Sequence, residues 1–126
     1  MNSTLEHINV TLNDIDTAAK VFQDIFGWHI RWEGEAKNQG RTIHIGAEDS
    51  YLALYTHGDS QKQNTSYKTV GHLNHIGIVV EDLDATEVLV KEAGFSTHSH
   101  GDYEPGRRFY FDIEDDVEIE VVSYKN

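Results

Sequence analysis

Two histidines 68 positions apart, His7 and His75, hold equivalent places in a pattern written twice: LEHINVTLNDID at residues 5–16 and LNHIGIVVEDLD at residues 73–84. Leu5/Leu73, Ile8/Ile76, Val10/Ile78, Leu12/Val80, Asp14/Asp82, Ile15/Leu83 and Asp16/Asp84 pair around them without a gap. The chain has no cysteine, so any metal must be held by nitrogen and oxygen, and imidazole and carboxylate are the usual protein donors. Glu120 sits between Ile119 and Val121 near the end of the chain, where a carboxylate is costly to bury unless something positive neutralises it. His7, His75 and Glu120 are therefore the metal-ligand candidates. Three such donors on a rigid sheet leave coordination positions open for a substrate, and an ion held there acts as a Lewis acid.

The elements that must position these residues are readable from periodicity. Residues 5–12 alternate, with Leu5, His7, Asn9 and Thr11 on one side and Glu6, Ile8, Val10 and Leu12 on the other, as in a strand with one polar face. Asn13-Asp14 offers a cap, and the apolar spacing of Ile15, Ala18, Ala19, Phe22, Ile25 and Phe26 predicts a helix over 14–26 that stops at Gly27. Strands at 28–33, 42–45 and 51–56 follow, so the first half reads βαβββ. The polar segment 58–70 reads as a linker. The second half repeats the order: a strand at 73–80, a helix at 82–93 ended by Gly94, and strands at 95–98, 107–112 and 117–123. Arg41-x-Ile43-x-Ile45 corresponds to Arg107-x-Phe109-x-Phe111, which carries the repeat into the third strand of each half. The expected fold is α+β, one domain over 1–126 built of βαβββ modules 4–57 and 71–124, forming a curved mixed sheet around a metal-binding cleft.

Charge and composition narrow the partners. With 22 Asp+Glu against 10 Lys+Arg, a net charge of -12 repels phosphate backbones, so nucleic acid and anionic membrane surfaces are excluded as expected partners. The opening residues MNSTLEHINV lack the basic-then-apolar order of a signal peptide, and a cytoplasmic protein is expected. Only four arginines are present, and two are adjacent. Arg107 and Arg108 follow the GDYEPG segment at 101–106, which reads as a loop at a cleft mouth, where they are candidates to clamp a substrate carboxylate or phosphonate. Glu118 alternates with Val117 and Ile119 as a solvated acidic face does, and the remaining histidines, His44 and His98 among them, have no repeat partner of their own type and are expected at the surface.

The duplicated βαβββ order, the L-x-H-I opening strands, the Gly-aromatic step after each helix and the closing RRFYFDIEDDVEIEVVSY resemble the vicinal oxygen chelate superfamily, over residues 4–124. That superfamily includes glyoxalase I, methylmalonyl-CoA epimerase, fosfomycin-modifying enzymes, extradiol dioxygenases and bleomycin-resistance proteins. The resemblance implies one divalent ion, iron, manganese, zinc or nickel, on His7, His75 and Glu120, with a small oxygen-chelating molecule as substrate and a homodimer as assembly. Isomerising members usually add a fourth ligand on the last strand of the first module, where this chain has Ala53 or Leu54. The set therefore looks like the two-His-one-carboxylate arrangement of the fosfomycin enzymes and dioxygenases, in which a tyrosine ten residues before the glutamate, here Tyr110, donates a hydrogen bond at the metal. The turn Ile113-Glu114-Asp115-Asp116-Val117 lacks the proline and glycine usual there. What is implied is a metal-dependent lyase, isomerase, thiol transferase or dioxygenase. The alternative is a metal-free antibiotic-binding protein of the bleomycin-resistance kind, which the acidic charge suits.

Overall fold

Period-two alternation with a helix on one side builds each half of the chain. The computed structural model describes residues 1–114 and 117–125. In β1 (His7–Thr11) Val10 is buried, as is Leu12 just beyond it, while His7, Asn9 and Thr11 lie on the other side. Asp14 then caps α1 (Ile15–Phe26), its Oδ1 accepting from the Thr17 N–H at 3.0 Å and its Oδ2 from the Thr17 hydroxyl at 2.7 Å. Such a cap satisfies one of the N–H groups that a helix start leaves without a partner. Ile15, Ala18, Ala19 and Phe22 form the buried stripe, and Gly27 ends the helix with φ 69°, where a side chain is disfavoured, its N–H returning to the Gln23 carbonyl.

The first module continues with β2 (His29–Glu35), a single 3-10 turn at Lys37–Gln39, β3 (Arg41–Gly46) and β4 (Tyr51–Thr56). They pair in the order β1-β4-β3-β2, with β1 parallel to β4 and the other pairs antiparallel. The second module repeats this as β5 (Ile76–Val79), α2 (Leu83–Glu92), β6 (His98–Tyr103), β7 (Gly106–Glu114) and β8 (Val117–Ser123), in the order β5-β8-β7-β6. The expectation of an α+β chain of two tandem βαβββ modules holds, and hydrogen bonding gives each module its own four-stranded mixed sheet. Backbone contacts divide the chain into compact units 1–62 and 63–126. No helix among the described residues is long and apolar enough to cross a membrane.

Each helix covers one sheet face. Ile43, Ile45, Leu52 and Leu54 lie under α1, and Phe109, Phe111, Ile119 and Val121, all with 0% exposure, under α2. An Arg–Asp clamp is repeated at the rim. Arg41 donates to both oxygens of Asp16 at 2.9 and 2.8 Å, and Arg107 to both oxygens of Asp84 at 3.4 and 2.8 Å. Both clamps are exposed and screened by water, so each adds little to stability and serves more to fix the helix over its third strand.

Two strands of the second module depart from the sequence expectation; the first, β5, starts at Ile76 and not at 73, which leaves His75 just ahead of it. The second strand of the second module runs His98–Tyr103, not 95–98, so the expected loop at 101–106 shrinks to the two-residue turn Glu104-Pro105. Phe95 is drawn onto Phe111, with ring centroids 5.3 Å apart, and the Thr97 hydroxyl donates to Glu87 on α2 at 2.5 Å, so these residues serve the core and not the ladder. A bulge between His98 and Gly101, with Ser99 at φ 55°, starts the strand. Arg107 and Arg108 accordingly lie inside β7. The turn at 113–117 that looked atypical includes Asp115 and Asp116, which lie outside the described residues.

Gly46 ends β3 opposite Tyr51, where a Cβ would run into the Ser50 carbonyl and come 2.6 Å from the Tyr51 Cα. Backbone cannot give way as a side chain can. Gly46→Ala is therefore expected to destabilise the protein by about 1–3 kcal/mol, read as a lower urea midpoint at unchanged m-value; an unchanged midpoint would disprove this close approach.

Candidate metal centre

Burying Phe109, Phe111, Ile119 and Val121 against α2 forces Arg108, Tyr110, Glu118 and Glu120 onto the second face of their sheet. Tyr110 stands directly opposite Glu120 on neighbouring strands, and its hydroxyl donates to Glu120 Oε2 at 2.7 Å. Arg108 adds a second donor to the same oxygen at 2.9 Å and a third bond to the Gly106 carbonyl at 3.0 Å. Its guanidinium lies 4.5 Å from the centroid of the Tyr103 ring, while its buried Nε has no hydrogen-bond partner. The Arg108 and Glu120 side chains are only 10% and 13% exposed, so their interaction is poorly screened by water.

The other carboxylate oxygen points elsewhere. Glu120 Oε1 lies 3.7 Å from Nε2 of His75, the residue just ahead of β5. His75 Nδ1 is 2.6 Å from the Asn74 side-chain carbonyl, which can only accept, so this nitrogen carries the proton. In the neutral ring Nε2 is then a bare lone pair facing a carboxylate oxygen. At 3.7 Å the two are too far apart to hydrogen-bond, and their separation suits neighbouring ligands of one ion. Tyr110 and Arg108 hold the second oxygen as outer-sphere donors do around a metal-bound carboxylate, so this donor set fits a divalent ion. Gly77, paired with Glu120, leaves Oε1 uncovered; a Cβ there would sit 3.6 Å from it.

Electrostatics agree with an ionised Glu120. Burial works against its charge, yet the hydrogen bonds from Tyr110 and Arg108 and the Arg108 charge outweigh it and hold the carboxyl below its ordinary value. Burial, then the bond to Glu120, push the Tyr110 phenol far up, so it remains a protonated donor. The Glu118 carboxylate raises the Tyr67 phenol, its hydrogen-bond donor, to about 12.

His7 belongs to the first module, where its Nδ1 lies 2.9 Å from a Glu6 carboxylate oxygen, again leaving Nε2 free. The residue before each repeated histidine thus fixes the same tautomer. Around His7 the second face of the first sheet is aromatic: Tyr51 stacks on it at 4.9 Å and on His44 at 4.6 Å, and Trp32 tilts against His44 at 5.2 Å. His44 is half-buried, contrary to the surface position expected, and loss of hydration, helped by the Arg31 charge, lowers its pKa. Register resolves the place of the missing fourth ligand. Asn9 pairs with Ala53 as Gly77 pairs with Glu120, so Ala53 is the counterpart of Glu120, while Leu54 turns to the helix side. By the same register His44, opposite Ala53, is the counterpart of Tyr110, a correspondence hidden in sequence because the residue types differ.

Of the residues selected by sequence, His75, Glu120, Tyr110 and Arg108 come together in the second module. Arg107 does not join them: adjacent strand residues face opposite ways, and it is held by Asp84 on the helix side.

The comparisons fit this architecture. Residues 4–122 match the model of the Glyoxalase/Bleomycin resistance protein/Dioxygenase superfamily, and the chain belongs to that superfamily. No curated protein matches the sequence. Solved structures share the fold at low identity. A glyoxylase/bleomycin resistance protein/dioxygenase domain from Frankia sp. EAN1pec is 20% identical at TM-score 0.80, with 98% of each chain covered. A variant of the fosfomycin resistance protein FosX from Listeria monocytogenes, solved with Mn(II) and 1S,2S-dihydroxypropylphosphonic acid, is 21% identical at TM-score 0.74, with 98% of this chain and 93% of that one covered. TnmS3, an antibiotic binding protein from Streptomyces sp. CB03234, is 15% identical at TM-score 0.75, with 97% and 96% covered.

Glu120 has a lowered folded-state pKa, so its stabilisation is complete above the unfolded value near 4.5 and is lost as pH falls through the folded value. Glu120→Gln, which strands the buried Arg108 charge, is expected to cost about 3–5 kcal/mol at pH 7. The gap to wild type should close on acidification below about pH 4.5, as followed by thermal melts from pH 3 to 7; a gap independent of pH would rule out this ionic origin.

Proposed function

We propose that this chain is a metal-dependent enzyme acting on a small oxygen-chelating substrate, with His75 and Glu120 as ligands in the second module and His7 as the matching imidazole of the first. The supporting observation is the approach of two ligand atoms, His75 Nε2 and Glu120 Oε1, to 3.7 Å within the second module. When bound there, a divalent ion supplies a Lewis acid that polarises a substrate oxygen. The chain's own residues prepare for it. Asn74 sets the His75 tautomer, Gly77 leaves Oε1 open, and the Tyr110 phenol and Arg108 guanidinium hold the other carboxylate oxygen. Nitrogen and oxygen donors of this kind suit manganese, iron, zinc or nickel. Reaction types consistent with the reading are isomerisation or lysis, thiol transfer, epoxide opening and ring-cleaving oxygenation.

A second reading, a metal-free small-molecule binder, is favoured by one observation. Arg108 already supplies Glu120 with a positive partner, so the carboxylate does not need an ion to remain charged in the folded protein. Likeness in fold to an antibiotic binding protein is compatible with this.

Metal uptake by protein purified without a histidine tag separates the two. Tight binding of Mn(II), Fe(II), Zn(II) or Ni(II), with one equivalent lost in His75→Ala and in Glu120→Gln and that equivalent weakened about 10–100-fold in Tyr110→Phe, is the outcome expected of the enzyme. His7→Ala in the same titration reads the contribution of the first module. Uptake that is absent, or that is unchanged in His75→Ala and Glu120→Gln, would leave the binder. Turnover is then sought with methylglyoxal plus thiols, fosfomycin and catechols on the metal-loaded protein.

A further inference from the structure

Two residues along β8 from Glu120, on the same sheet face, a second group of donors converges. His98 on β6, Asp112 on β7 and Glu118 on β8 each offer one ligand atom, and these atoms all lie within 4.8 Å of one another. Asp112 stands directly opposite Glu118, and His98 Nε2 is 3.4 Å from Asp112 Oδ1. None of the three belongs to the set of His7, His75 and Glu120.

A solvated acidic face accounts for either carboxylate alone but poorly for the group. Like charges directly opposite one another on neighbouring strands repel, and this chain already carries a net charge of -12. No described lysine or arginine is ion-paired with Asp112 or Glu118; the arginines nearby are taken by Asp84 and Glu120. The Tyr67 hydroxyl donates to Glu118 but brings no charge.

The first module supplies an independent comparison. By register, the counterparts of His98, Asp112 and Glu118 are Trp32, Gly46 and Tyr51, an aromatic surface on the same scaffold. The fold therefore does not require acidic residues at these positions. In one copy of the repeat the three places hold rings and a glycine; in the other all three hold metal-binding groups.

We propose that His98, Asp112 and Glu118 form a second cation site, separate from that of His75 and Glu120 and contained within the second module. One imidazole with two carboxylates suits a first-row divalent ion, since imidazole favours such ions over calcium and magnesium. Charge compensation of the Asp112–Glu118 pair gives the site its driving force, and the exposed position of Asp112 gives the ion access.

Co(II) titration of the full, tag-free, chelator-stripped chain tests this, with calorimetry for stoichiometry and visible absorption for nitrogen–oxygen coordination. Wild type is expected to take up two equivalents. Asp112→Asn and His98→Ala should each lose one of them and keep the one that Glu120→Gln removes. His98→Gln, which keeps the size of the side chain, should behave as His98→Ala does, and circular dichroism confirms that each variant is folded. If Asp112→Asn and His98→Ala bind as many equivalents as wild type, with affinities within about twofold, the proposal fails. A single wild-type equivalent lost in Asp112→Asn but kept in Glu120→Gln would uphold this site while sinking the reading of His75 and Glu120. The reverse pattern would do the opposite.

Discussion

The period of two along a strand is the constraint on which this molecule's chemistry depends. Phe109 and Phe111 on β7, and Ile119 and Val121 on β8, are fully buried beneath α2, and their removal from water fixes the register of both strands. Every intervening residue is thereby committed to the other face. Arg108, Tyr110 and Asp112 line up there against Glu118 and Glu120 because the hydrophobic core leaves them no alternative. A slip of one residue would bury four charges and expose four apolar side chains. The polar face is held in place by the energy of the apolar one.

The two modules use this constraint for different ends. In both, a cap aspartate starts the helix, an Arg–Asp clamp ties it to the third strand, and the histidine ahead of or opening the first strand keeps its Nε2 free. The faces away from the helices then diverge. The first carries Trp32, His44, Tyr51 and Ala53, the second His98, Tyr110, Glu118 and Glu120 at the same register positions. Duplication preserved the scaffold, and substitution on one face separated a ring-lined surface from a carboxylate-lined one.

Much of this was legible in the sequence, for physical reasons that differ by residue. The helices were readable because Asp14, Asp82 and Gly27 carry the conformational demands of helix ends locally. His75 and Glu120 were readable from a repeated histidine and from a carboxylate flanked by apolar residues. The second strand of the second module was not, because Phe95 looks like a strand residue but is recruited by Phe111 across the core, a tertiary effect with no local mark. His44 and His98 were missed for another reason. Each is matched in the repeat by a different residue type, so only the strand register, invisible in sequence, shows that they lie on the sheet faces turned away from the helices. The division of Arg107 from Arg108 was, by contrast, implicit in simple alternation: two neighbours on one strand cannot serve the same face.

Gly77 is the smallest part of this arrangement and carries an outsized consequence. A glycine inside a strand loosens it, at roughly 0.5–1 kcal/mol relative to alanine, and most strands avoid one. Here the missing side chain is an aperture, since only hydrogen separates the solvent side of β5 from the Glu120 oxygen beneath it. A methyl would only touch the oxygen at 3.6 Å, an ordinary contact, whereas a long side chain would act as a shutter over the candidate ligands. Position 77 thus offers a means of closing the site by occlusion while its chemistry stays whole.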